Sequence, residues 1–194
     1  MIAAGLIVLG YLSGSIPFGL LLVRMARGVD VREEGSGNIG ATNVARVAGR
    51  ALGAVVLALD ALKGALPVLL AREVEPAASV IPAAVGLAAF AGHVAPPWLG
   101  FRGGKGVATA LGVLAVLAPR AALAGALTYG VVLALLRISS VGSLLAGIAA
   151  TVTAWCLPGT APAAAALTSV LFAAMLWTHR GNIGRLLRRG EPRV

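Results

Sequence analysis

The stretch IAAGLIVLGYLSGSIPFGLLLV, residues 2–23, carries no charged side chain, and Arg24, Arg27 and Arg32 follow it closely. A helix of about 20 apolar residues crosses the hydrocarbon core of a bilayer, so this run is long enough to span. A secretory signal would place its positive charge before the apolar run and end on a small-residue cleavage site. Here the charge comes after. The expectation is an uncleaved first helix with its N-terminus outside.

Working outward, apolar segments recur at 52–70, 77–91, 107–118, 121–136, 141–157 and 161–177. Of the 194 residues, 59% are hydrophobic and only 12% charged, with a mean hydropathy of +0.94. Soluble domains carry about 25% charged residues, so this chain lacks the polar surface to face water all round. The net charge of +9 lies between apolar runs instead of on a soluble module, which argues against a nucleic-acid partner. The single Cys156 sits in an apolar run and excludes a disulfide framework or a cysteine-based zinc site; no metal and no cofactor is expected. Segments 107–118 and 121–136 are short and separated by Pro119 and Arg120, so they are either two tilted spans or one re-entrant hairpin. The expected fold is an all-α integral membrane protein, one polytopic domain over residues 1–194. It has seven transmembrane helices, or five plus the hairpin.

Charge bias tests the orientation. With the N-terminus outside, thirteen of the sixteen Lys and Arg residues fall on the inner side, only Arg72 and Arg120 fall outside, and Lys63 lies within a span. This is a clear positive-inside pattern, and it places the C-terminus in the cytoplasm. Three inner segments also hold nearly all the reactive side chains, which points to one site on that face.

The first segment is GSGNIGATNVAR, residues 35–46. Gly35, Gly37 and Gly40 match G-x-G-x-x-G, but a dinucleotide site needs a preceding strand and a parallel sheet, for which this chain has no room. The local physics remains: glycines let backbone N–H groups converge, and a helix starting near Ala41 adds its positive end. Ser36, Asn38, Thr42 and Asn43 add hydrogen bonds, and Arg46 adds a fork suited to phosphate. Anion binding is favoured over a plain glycine-rich turn.

The second segment, HVAPPWLGFRGGKGVAT, spans residues 93–109. Gly103, Gly104, Lys105 and Gly106 before an apolar helix bring backbone donors and a cation together. It is not an ATP-binding loop, because Leu99 stands where the first glycine belongs and Gly106 replaces the magnesium-binding hydroxyl. His93 is either part of this site or a cap on a helix C-terminus. The third segment, THRGNIGRLLRRGE, spans residues 178–191. Attraction of a basic tail to anionic lipid covers Arg185, Arg188 and Arg189. It does not cover His179 and Asn182, which lie three apart and hence on one helical face. Asp60 and Lys63, also three apart, interrupt the second span; charges at such depth pair or serve function, and an internal structural pair is the favoured expectation.

Taken together, residues 35–46, the Asp60–Lys63–Gly64 group, residues 93–109 and residues 179–191 resemble the PlsY family of bacterial membrane glycerol-3-phosphate acyltransferases. The stretch GSIPFG at 14–19 is similar too, and the resemblance runs the full length in the family's order. It implies a seven-helix enzyme of the bacterial cytoplasmic (inner) membrane, N-terminus outside and site facing the cytoplasm. The implied reaction joins the 1-hydroxyl of glycerol-3-phosphate to an acyl group from acyl phosphate, giving lysophosphatidic acid and phosphate. Ser36, Arg46, Lys105, His179 and Asn182 are the implied catalytic set, and the glycine loop around Lys105 is implied to hold glycerol phosphate, with Glu191 giving structural support. Gly35, Gly37, Asn38, Thr42, Asn43, His93, Gly103, Gly104 and Gly106 complete the expected substrate-binding set. The expected partners are the two substrates and membrane lipid, and a monomer is expected.

The residues agree with that chemistry. An acyl phosphate is already activated, so a site needs mainly to place two phosphorylated substrates and steady developing charge. A transporter for an organic phosphate is the rival class, but the outer loops lack a matching polar site and no internal repeat is visible. An inactive membrane anchor leaves the Gly, Asn and His content unexplained. Cysteines placed at Asn38, Arg102 and Arg188, with Cys156 removed, are expected to share one sidedness toward an impermeant thiol reagent. Labelling of any one from the outside would contradict a single inner site.

Overall fold

A computed structural model describes residues 1–75, 80–188 and 190–193. The start of the expected third span, 77–79, and Arg189 of the basic tail lie outside the described residues. Among the described residues the chain is all helical, with ten α-helices: α1 (Ile2–Gly14), α2 (Phe18–Arg27), α3 (Ala41–Ala48), α4 (Arg50–Val74), α5 (Val80–Val94), α6 (Val107–Leu117), α7 (Pro119–Leu136), α8 (Ser139–Cys156), α9 (Pro162–Thr178) and α10 (Arg180–Leu187). Among the described residues each expected apolar segment contains a helix, and the first contains two, α1 and α2.

Among the described residues five stretches are long and apolar enough to cross a membrane: Ile2–Arg27, which joins α1 and α2, then Arg50–Val74, Val80–Leu99, Pro119–Leu136 and Ser139–Cys156. The bent pair α9 and α10, with an angle of 59° between them, makes a sixth. Of the seven expected spans, α6 falls short. Its 11 residues rise roughly 16 Å, at about 1.5 Å per residue, against a hydrocarbon core of about 30 Å. By contrast α7, with 18 residues, is long enough alone. Its outer face is apolar: Leu123, Leu127, Val131 and Leu135 recur every fourth residue and all are exposed, a stripe suited to lipid.

The break between α1 and α2 falls at Pro17, which cannot donate a backbone hydrogen bond. The Ile16 carbonyl at this break accepts only a tight-turn bond from the Phe18 N–H at 3.1 Å, and an under-satisfied carbonyl is costly in an apolar medium. Lys63 supplies a second donor: its Nζ donates to the Ile16 carbonyl at 2.7 Å and lies 2.7 Å from Asp60 Oδ1. The expected internal pair therefore exists, and it ties α4 to the break in the first span. Arg72 and Arg120, the two arginines expected outside, serve backbone ends in the same way, Arg72 donating to the Val116 carbonyl and Arg120 to that of Pro158.

The helices approach through small residues, as apolar surfaces in lipid require. A Cβ at Gly14 would run into the Ala89 carbonyl, so α1 lies directly on α5; one at Gly112 would run into the carbonyl of Ala61, so α6 lies directly on α4. Two buried clusters result. The larger joins α4 to α9 around Val68, Val85, Val113 and Leu171; the smaller seats the first glycine segment on Val23, Val31, Ile39, Val44 and Val56. Because Gly112 meets backbone, overpacking there cannot relax by a rotamer change. Gly112→Leu is expected to destabilise the protein by about 3 kcal/mol or more, read as a fall in unfolding temperature in detergent. Gly130→Leu, where a side chain meets open space, should leave that temperature unchanged.

Candidate functional site

The polar segments converge on one cavity of about 360 Å³. Its polar wall includes Ser36, Asn38, Thr42, Asn43 and Arg46 from the first segment, His93, Lys105 and Gly106 from the second, and His179, Asn182, Arg185 and Glu191 from the third. Its apolar wall comes from α4, α6, α7 and α8, with Leu57, Leu111, Leu114, Gly125, Ala146 and Ala150 among the lining residues. Ten of the fourteen expected site residues line it. Gly35, Gly37, Gly103 and Gly104 do not.

Those four glycines shape the loops from behind. Gly35 and Gly37 have φ of 59° and 70°, the left-handed region that glycine enters at least cost. Buried Asn43 then clamps the turn: the Ser36 N–H donates to its Oδ1 at 2.7 Å, and its Nδ2 donates to the carbonyls of Val31 and Glu34 at 3.0 Å each. The Gly40 N–H goes to Asn38 Oδ1 at 2.9 Å. In the second loop the Gly103 N–H donates to the Val94 carbonyl at 2.9 Å and the Gly104 N–H to that of His93 at 3.0 Å. The expectation that glycine N–H groups point at an anion is therefore corrected for Ser36, Gly40, Gly103 and Gly104. These donors are spent on the fold, and they hold the side chains that face the cavity. His93 is one of those; its ring nitrogen Nδ1 is buried without a hydrogen-bond partner among the described residues, so the cap alternative for its side chain is not realised.

The third segment turns at His179, which is buried between α9 and α10. Its Nδ1 lies 2.8 Å from the Met175 carbonyl. A carbonyl only accepts, so Nδ1 carries the proton and Nε2 keeps a lone pair. Asn182 and Ser140 both donate to Glu191 Oε1, and Arg185 Nε donates to Oε2 at 2.7 Å. Burial opposes ionisation of Glu191, yet hydrogen bonds from Asn182, Ser140 and Arg185 hold its carboxyl below the ordinary range. Thr42 and Tyr129 share Ser139 Oγ at 3.0 and 2.9 Å, linking α3, α7 and α8 at the rim.

The cations divide into two kinds. Arg185 is neutralised by Glu191. Arg46 and Lys105 have no carboxylate at ion-pair distance among the described residues. Burial pushes the Lys105 ammonium down to about 8; Glu191 opposes this, and Arg185 and Arg46 add to it. Two unneutralised cations thus face a partly apolar cavity, next to the imidazole of His179. Sequence alone did not point to Ser139, Ser140 and Tyr129. The available signal was a pair of hydroxyls opening an otherwise apolar helix, with Ser143 one turn on.

A family model described as glycerol-3-phosphate acyltransferase matches residues 4–189. The chain belongs to that family. It is 63% identical to the glycerol-3-phosphate acyltransferase of Myxococcus xanthus over 98% of both chains. It is 53% identical to that of an Anaeromyxobacter species over 97% of this chain and 95% of the other. Among solved structures, PlsY, an integral membrane glycerol 3-phosphate acyltransferase, matches in its glycerol 3-phosphate form with a TM-score of 0.94 and 39% identity. That match covers 100% of this chain and 96% of the other. The lysophosphatidic acid form matches with a TM-score of 0.92 at the same identity. The all-α integral membrane expectation stands on these grounds.

In this acyltransferase the Lys105 ammonium is charged below about 8 and is lost as pH rises through that value. Affinity for sulfate, which does not titrate in this range, should therefore fall as pH passes about 8, measured by calorimetry. Lys105→Arg, whose charge persists, should abolish that alkaline loss.

Proposed function

We propose that this chain transfers an acyl group from acyl phosphate to the 1-hydroxyl of glycerol-3-phosphate, giving lysophosphatidic acid and inorganic phosphate. The observation that carries this is the pair of cations without carboxylate partners, Arg46 and Lys105, beside an apolar wall. Phosphate dianions supply the missing charge. The acyl chain rests along α6 and α8, which suits an enzyme that works inside a bilayer.

In the proposed step the 1-hydroxyl oxygen attacks the acyl carbon, the bond from that carbon to the phosphate oxygen breaks, and phosphate leaves. A phosphate oxygen of the substrates accepts the hydroxyl proton. Arg46 and Lys105 steady the charge that develops on the carbonyl and leaving phosphate, where fixed cations in a dry site act most strongly. Ser36, His179 and Asn182 place the reacting groups through hydrogen bonds, His179 as an acceptor through Nε2. The names of the relatives support the acceptor and product; the acyl-phosphate donor rests on the cation pair and the resemblance. We further propose that residues 1–194 form one domain with seven crossings of a bacterial inner membrane, the short α6 completing its crossing together with the polar loop that precedes it. The N-terminus lies outside and the cavity opens to the cytoplasm, in keeping with the positive-inside bias.

Lys105→Ala and Arg46→Ala should each lose on the order of 10²-fold or more in kcat/KM, and Arg46→Lys should recover part of it because the planar fork is lost. His179→Asn should keep measurable turnover. Its complete loss in a folded protein that still binds glycerol-3-phosphate would make His179 the obligatory base and overturn the proton route.

A further inference from the structure

Beside the Lys105 loop lies a buried polar cluster, with Asp60 and His93 on the cavity wall, that the step above does not use. Asp60, Lys63 and His93 are each no more than 4% exposed. Lys63 holds Asp60 Oδ1 at 2.7 Å and is itself fixed to the Ile16 carbonyl at 2.7 Å. His93 Nδ1 lies 3.8 Å from the same Asp60 oxygen. The other edge of the ring meets the glycine loop, since a Cβ on Gly104 would run into His93 Nε2. The His93 and Val94 carbonyls hold the N–H groups of Gly104 and Gly103 at 3.0 and 2.9 Å. The imidazole is therefore wedged between a fixed carboxylate and the backbone one residue before Lys105.

We propose that Asp60, Lys63 and His93 form a buried positioning triad whose imidazole seats the backbone of Gly104 and so fixes where Lys105 enters the cavity. This rests on Lys105 being a phosphate ligand. The ion pair has an orienting task beyond its structural one: the carboxylate backs the ring at 3.8 Å, a packing and charge contact longer than a hydrogen bond, the ring backs the loop, and the loop places the ammonium. A side chain at position 104 is excluded because the ring occupies its place. Small displacements of a charge-stabilising group are costly, about 10²-fold for 1 Å in unfavourable cases, so a loop with little free volume behind it has a functional consequence.

The test uses purified full-length protein in detergent, with unfolding temperature as the folding control and glycerol-3-phosphate as the varied substrate. His93→Ala should raise KM on the order of tenfold or more while kcat at saturation falls less, the signature of weakened placement. The alkaline limb of kcat/KM should move up from about 8 toward the ordinary lysine range as the loop loosens into water. The paired variant Asp60→Leu with Lys63→Gln leaves no unmatched charge and keeps a donor for the Ile16 carbonyl, and it should show the same rise in KM. Gly104→Ala should be severely impaired, whereas Gly104→Ala combined with His93→Ala should be no worse than His93→Ala alone, because the ring that opposes the methyl is gone. A folded paired variant with wild-type KM would overturn the proposal by making the ion pair purely structural. Loss of kcat in His93→Ala with KM unchanged would overturn it by placing His93 on the reacting atoms. Wild-type KM in Lys105→Ala would overturn the phosphate reading itself.

Discussion

An ionised side chain in an apolar helical bundle must find an opposite charge, and the fold is organised by where that requirement is met within the chain. Asp60 and Lys63 satisfy each other, and Arg185 and Glu191 do the same. Arg46 and Lys105 are left over on the cavity wall. Leaving them so is costly unless a ligand completes the balance. In the proposed reaction two phosphorylated substrates do this, and release of phosphate returns the site to its unbalanced state.

Four backbone donors of the glycine loops are already used within the fold. Ser36 and Gly40 give their N–H groups to asparagine side chains, while Gly103 and Gly104 give theirs to the end of α5. In the proposed reading, the cations Arg46 and Lys105 meet substrate from segments held from behind. Such segments need no reorganisation when charge develops, which is the condition under which electrostatic stabilisation is most effective. Glu191 extends the same principle to the C-terminal segment by drawing Ser140, Asn182 and Arg185 onto one carboxylate.

The membrane fold was legible in the sequence because run length and charge bias are one-dimensional signals. The boundaries of α4, α6, α7, α8 and α9 fall within a few residues of the apolar segments. Convergence of the polar segments was legible from their shared side. What could not be read is tertiary. The short reach of α6 depends on the loop that precedes it, and the role of Asn43 as a clamp appears only when Val31 and Glu34 fold back on it. Sequence cannot distinguish a loop N–H aimed at a ligand from one spent on a neighbouring oxygen, so the donors of Ser36, Gly40, Gly103 and Gly104 were read as facing an anion when the fold uses them. His93 was left between two roles for the same reason: its contacts are with Asp60 and Gly104, 33 residues before it and 11 after.

The most direct test of the account is the stoichiometry of phosphate release by purified protein supplied with a long-chain acyl phosphate. Phosphate should appear only when glycerol-3-phosphate is present, one for each lysophosphatidic acid formed, and acyl-CoA should not replace the acyl phosphate. Comparable turnover with acyl-CoA, or steady phosphate release without the acceptor, would contradict it.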